Sequence, residues 1–310
     1  MRLIDLHCDT ASAIFKHRTL LEDNDHHISL NKLAVYDNFA QVMAIFIPHN
    51  LSDADGYLRF CEIHEYFASR ISSNADKVEW ITHGDDIQHA WDNGHGAMVL
   101  SLEDARILQN DITKLDFIYK KGVRSIVFMW SGETCIGGSH NTESGLTDFG
   151  CSVMHRCFEL GIVPDVSHAS AQTTSDMLEI ACEAGKPVIA SHSNSYAVYP
   201  HTRNLRDEHF GLIRDLGGIV GLSLCPYHLS GEHAGVDDII RHADHYLSLD
   251  GENVLCLGCD LDGTDLPDGF SDVRDLEKIQ DAMVHEGYND RLINKIFWAN
   301  AKRFMENNIK

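Results

Sequence analysis

Six residues of the types that hold divalent cations stand where short apolar runs end in this chain of 310. His7 and Asp9 close the opening string "IDLHCDT", and Glu103 closes "VLSLEDA". His168 lies in "PDVSHAS", His192 in "VIASHSNS" and Asp260 in "LGCDLDG". Taken singly, each has a structural use, as a helix cap or a turn residue after a strand. Taken together they are three imidazoles and three carboxylates, a donor set suited to zinc or a similar divalent ion, with one carboxylate able to bridge two ions. Their stepwise spacing favours two ions over one. Side chains alternate along an extended strand, so Asp5, His7 and Asp9 are expected on one face, with Leu6 and Cys8 on the other.

The elements that must position these groups are short, apolar and rich in β-branched residues: 3–6, 41–47, 97–102, 123–129, 162–166, 188–190, 219–224 and 254–257. Between them lie stretches with helical spacing, among them "YLRFCEIHEYFASRIS", "ITKLDFIYKKG", "SAQTTSDMLEIACEAG" and "DDIIRHADHYLSL", several closed by glycine. Strands alternating with helices imply a parallel sheet. Eight such units imply an α/β fold of the single (β/α)8 TIM-type barrel kind, whose catalytic groups stand at the C-terminal ends of the strands. A ninth strand-like run at 78–82, "VEWIT", is assigned to a side hairpin or an edge strand; placed in the sheet it would favour an open doubly wound fold. With no internal repeat, low-complexity segment or linker, residues 1–310 read as one catalytic barrel domain. The longest irregular stretch, 131–148, is expected to overhang the barrel mouth.

Composition narrows the partners. The 47 acidic against 25 basic residues give a formal charge of −22, which repels nucleic acid and the anionic face of a membrane. No apolar run approaches the ~20 residues that span a bilayer, and the first strand begins at once, which points to the cytoplasm. Nine cysteines without a framework suit a reducing compartment. The "CLGC" pair at Cys256 and Cys259 is discounted, because strand positions three apart face opposite sides. Many of the 20 histidines, as in "DNDHHISL" and "RHADHYL", read as solvated. Nothing in the composition excludes a homo-oligomer.

The strings "IDLHCDT", "SLEDA", "DVSHAS", "IASHSNS" followed by "TRN", and "LGCDLDG" occur in an order that resembles the renal (membrane) dipeptidase family of zinc metallopeptidases, across essentially the whole chain. The resemblance implies a (β/α)8 barrel with two zinc ions, one held by His7 and Asp9, the other by His168 and His192, with Glu103 bridging. It implies a small unblocked dipeptide as substrate and a bacterial-type cytosolic member. Asp260 then matches the acid/base aspartate, and Arg203 the arginine that receives the dipeptide's terminal carboxylate. A hydroxide shared by two cations is a nucleophile near neutral pH. One position departs: aligning "GVRSIVFMW" puts Trp130 where the family carries a histidine that hydrogen-bonds the substrate carbonyl as charge develops. Trp130 is expected as an apolar plug at the mouth, with its indole N–H or His140 of the long loop as substitute donors. Two alternatives stay open: another metal-dependent amide, lactone or deamination reaction on the same barrel, or a metal-bearing binding protein with reduced turnover.

Overall fold

The apolar runs form strands because they are buried on both faces, as strands of a parallel sheet must be. In the computed structural model, which describes residues 1–310, they are β1 (Arg2–Cys8), β2 (Asn38–Phe46), β3 (Val78–Ile81), β4 (Gly96–Glu103), β5 (Val123–Val127), β6 (Val163–Asp165), β7 (Val220–Leu222) and β8 (Leu255–Leu257). All pairings are parallel, in the order β6-β5-β4-β2-β1-β8-β7. The run at 188–190 joins the two ends: Ile189 bridges Asp165 of β6, and Ala190 bridges Val220 of β7. The Ile189 N–H donates to the Pro164 carbonyl at 3.0 Å and the Ala190 N–H to the Ile219 carbonyl at 3.1 Å. The eight expected runs therefore come round as the staves of a barrel.

The ninth run is an edge strand and not a hairpin. β3 lies parallel to the first half of β4, from Gly96 to Val99, while β5 takes the second half after a register slip between Leu100 and Ser101.

Helices return the chain between staves, and their ends are set by local chemistry. Helix Ala171–Ala184 starts where the Ser170 hydroxyl accepts the Thr173 N–H at 2.9 Å and stops at Gly185, whose φ of 59° ends it in the left-handed region. The barrel interior is filled by Ile4, Leu6, Val42, Val99, Val163, Ile189 and Ile219, and its floor is sealed by Phe304, Met305 and Ile309 at the C-terminal end. A larger apolar layer packs helices against the outside of the strands. With the floor plugged, polar chemistry is left to the rim at the strands' C-terminal ends.

Two groups of histidines differ from expectation. Helix Val236–Ser248 turns Ile239, Ile240, His242, Ala243 and Tyr246 inward, so His242 shares the apolar face by helical spacing and is fully buried. Its Nδ1 accepts the Ser195 N–H at 3.0 Å and its Nε2–H donates to the Leu229 carbonyl at 2.9 Å. His27 is likewise structural: its Nδ1 accepts the Asp262 N–H at 2.8 Å, and its own N–H donates to the Asp262 carboxylate at 2.6 Å. All nine cysteines are free, Cys256 and Cys259 included. No helix is long and apolar enough to cross a membrane.

Candidate metal centre

The end of β1 departs from strict alternation. Asp5 stands opposite Gln41 of β2, but Cys8 stands opposite Met43, so the register slips between them. Asp5 is consequently not beside His7 and Asp9 as a third donor. Its carboxylate accepts from the Gln41 side chain at 2.9 Å and from the Cys259 N–H at 2.7 Å. His7 and Asp9 do come together, with Nε2 and Oδ2 3.8 Å apart. The ends of β1 and β8 are zipped by the Asp9 N–H on the Leu261 carbonyl at 2.9 Å and the Asp260 N–H on the His7 carbonyl at 3.1 Å. This places Asp260 at the same rim, its Oδ1 3.8 Å from His7 Nε2.

Glu103, the last residue of β4, lies between two groups of donors. Its Oε2 is 3.5 Å from His7 Nε2; its Oε1 is 2.9 Å from His168 Nε2 and 3.8 Å from His192 Nε2. His168 Nδ1 is 3.1 Å from the Trp130 carbonyl. A carbonyl only accepts, so the proton of a neutral ring sits on Nδ1 and Nε2 is a bare lone pair. His192 engages the Ser191 hydroxyl through Nδ1 at 2.8 Å, and the two Nε2 atoms are 3.0 Å apart. His7 Nε2 and Asp9 Oδ1 are buried with no hydrogen-bond partner, a costly state that a cation relieves. His7, Asp9 and Glu103 form one group able to hold an ion, and Glu103, His168 and His192 another. The residues present therefore fit divalent cations.

The electrostatics agree. Burial pushes Glu103 up to about 8, with Asp9 adding and His7 opposing, and pushes Asp260 up to about 7 against the pull of His7. Burial opposes the charge on His7, yet Glu103 and Asp9 outweigh it and hold His7 well above its ordinary range. His168 is pushed well down by burial and by Arg203, and His192 by burial and by His7. More carboxylate is gathered than can ionise together, so the cluster keeps protons where cations would stand.

Several positioning residues carry no motif of their own. The Asp165 carboxylate accepts the Ser167 N–H at 2.9 Å and the Ser191 N–H at 3.0 Å, tying together the loops of His168 and His192. The Ser167 hydroxyl accepts the His192 N–H at 3.1 Å. The signal was in view, an aspartate three residues before His168, but nothing in one strand shows that its carboxylate reaches the next loop. Backbone strain gathers at the same rim: His168, Asp260 and Asp262 have φ of 71°, 60° and 66°. Gly263 must stay small, because a Cβ there would fall 2.2 Å from Asp9 Oδ2 and 2.4 Å from Asp260 Oδ1.

Arg203 is 5% exposed, and its Nε has no partner. Its one hydrogen bond from the guanidinium is a long 3.5 Å contact with the His192 carbonyl. Such a group, with no carboxylate paired to it, leaves most of its N–H donors open to an anion. A cavity of about 120 Å³ opens beside it, and none of the five candidate ligands lines that cavity. Trp130 is half-buried, stacked on His49 at 5.3 Å and edge-on to Phe46 at 5.1 Å, 6.1 Å from the His168 ring. It forms one side of an aromatic wall. The 131–148 stretch does reach the site: the His140 N–H donates to the His168 carbonyl at 2.7 Å, and the two rings lie 6.1 Å apart.

The family model for membrane dipeptidase (peptidase family M19) matches residues 1–309. The chain belongs to the membrane dipeptidase family. A Klebsiella pneumoniae protein from the pqqA 5′ region is 31% identical over 250 residues, 76% of this chain and 91% of that one. Dipeptidase tcpJ of Claviceps purpurea is 27% identical over 240 residues, 74% of this chain but 55% of that one. Among solved structures, the metallopeptidase dipeptidase AC superposes with a TM-score of 0.93 at 23% identity, covering 100% of this chain and 99% of its own. A Rhodobacter sphaeroides metallopeptidase liganded with a phosphinate mimic of the dipeptide L-Ala-D-Ala gives 0.93 at 22% identity, with 99% of each chain covered. These superpositions establish the fold as that of the membrane dipeptidases, and the family match makes the chain a hydrolase of metallopeptidase type.

Proposed function

We propose that this membrane dipeptidase family member hydrolyses small unblocked dipeptides with two divalent cations, zinc foremost, as cofactors. His7 and Asp9 would hold one ion and His168 and His192 the other, with Glu103 shared. The observation that carries this reading is Glu103 standing between two groups of buried, partnerless or lone-pair-opposed donors. Bound cations would polarise the scissile carbonyl and lower the pKa of a water to about 7. The chain's own residues supply the rest. Asp260, buried to 9% exposure at the same rim, takes the proton from the attacking water and passes it to the leaving amine. Arg203 grips the terminal carboxylate through its planar fork. We also read the chain as a single catalytic domain at work in the cytoplasm, a compartment that suits nine unpaired cysteines.

Trp130 favours a second reading. An aromatic wall of Trp130, His49 and Phe46 in place of the family's histidine suits a different amide or a lactone, or a deamination, with the same cations; a metal-bearing protein with reduced turnover is its limiting case. Hydrolysis of unblocked, amino-blocked and carboxyl-blocked dipeptides with added zinc separates the two. Turnover confined to peptides with a free carboxylate supports the dipeptidase. Turnover of blocked peptides alone supports the alternative.

A further inference from the structure

Outward from His168 runs an arc of three further imidazoles that the proposed reaction does not use. The His140 ring lies 6.1 Å from His168 and 6.4 Å from His201, and the His201 ring lies 4.8 Å from that of His228. All three are half-buried. A local bond sets the proton of one of them, His201. His201 Nδ1 accepts the Arg203 backbone N–H at 3.2 Å, so its proton sits on Nε2, which no group in the chain accepts. His140 spends Nδ1 on the Thr202 hydroxyl at 3.2 Å and keeps Nε2. The two loops that bear His201 and His228 are clamped by Asn204, whose side-chain amide donates to the Tyr199 and His228 carbonyls, both at 2.8 Å. The backbone that carries His201 and His228 is therefore held before anything binds.

Its charge surroundings are unusual for this chain. Burial first, then the Arg203 charge, pushes His140 down to about 3 and His228 down to about 2, and lowers His201. The other histidines of the arc add to the first two, and no carboxylate acts on any of the three. In a protein with a formal charge of −22, three neighbouring imidazoles on which no carboxylate acts, beside a buried guanidinium whose one hydrogen bond is a long 3.5 Å contact, are suited to negative charge.

We propose that the His140–His201–His228 arc receives a second anionic group next to the terminal carboxylate on Arg203, so that the preferred substrate is a dipeptide with a C-terminal aspartate or glutamate. The placement of the terminal carboxylate rests on the dipeptidase reading; the arc's preference for an anion does not. The products are the free N-terminal amino acid and the acidic amino acid, released by addition of one water across the peptide bond.

The test pairs binding with turnover on the zinc-loaded protein. Calorimetric titration with aspartate, asparagine, glutamate and glutamine, as both L and D forms, is set beside kcat/KM for Ala-Asp, Ala-Asn, Ala-Glu and Ala-Gln of either C-terminal configuration. Charge-assisted hydrogen bonds should favour each acid over its amide by about tenfold or more. That ratio should fall toward one in His201→Phe and His228→Phe, or in His201→Asn and His228→Asn should the phenylalanine variants fail to fold. If the acids hold no advantage over the amides, or if the advantage persists in both variants, the arc is not the receptor. If the acids outbind the amides and no dipeptide is cleaved, the receptor stands and the dipeptidase reading falls.

Discussion

Glu103, Asp260 and Trp130 separate three roles at one rim, and each has its own expected failure. With Glu103 shared between both donor groups, Glu103→Ala should disturb both ions, whereas His168→Ala should remove mainly one; elemental analysis of the purified variants reads the difference. Asp260→Asn preserves shape and removes the proposed proton acceptor, so metal content should hold while kcat falls by roughly 10²- to 10⁴-fold. An unchanged rate would assign the base elsewhere. At Trp130 the expectation runs the other way. One preorganised donor to a developing oxyanion is worth about 10²- to 10³-fold, so Trp130→His should raise kcat on a simple dipeptide at constant metal content. An inactive Trp130→His beside a fast parent would mean that the aromatic wall serves another substrate.

At the scale of elements, the loops after β6 and after 188–190 are tied by the Asp165 carboxylate and by the Ser167 hydroxyl. Asp165→Ala leaves two buried N–H groups without an acceptor, which should cost about 1–3 kcal/mol each if no water replaces it. Zinc affinity should weaken with it, because the loops of His168 and His192 lose one of their ties; denaturant midpoints and zinc titration check both. Such couplings mark where sequence reading stops. The staves were legible because burial on both faces leaves continuous apolar runs, and the clustering of the candidate donors because polar groups at the ends of several such runs have few structural explanations in common. The slip between Asp5 and Cys8 was not legible: a bulge is set by how β1 meets β2, and alternation along one strand contains no term for it. His242 was misread because its polar neighbours Asp244 and His245 mask the spacing from Ile239 to Tyr246 that turns it inward. The run at 188–190 was read as a stave, and it closes the ring through single bridges on either side, too few contacts for a regular ladder.

For the whole molecule, stability should depend on acid and on cations. Burial holds His242 at about 4, below its ordinary 6.5, while the unfolded chain takes up that proton from about pH 6.5 downward. The folded state binds fewer protons across this window, so stability falls as pH drops from about 6.5 to 4, by at most about 3 kcal/mol from this residue. Urea unfolding of His242→Gln should show a shallower pH slope over that range. Cations that bind only the folded chain raise the melting temperature by mass action, and a chelator should lower it. The central claim is that two cations share this rim, and metal stoichiometry tests it most directly. Elemental analysis of the protein purified without chelator and saturated with zinc should find two ions per chain, whereas one ion or none at saturation would contradict the account.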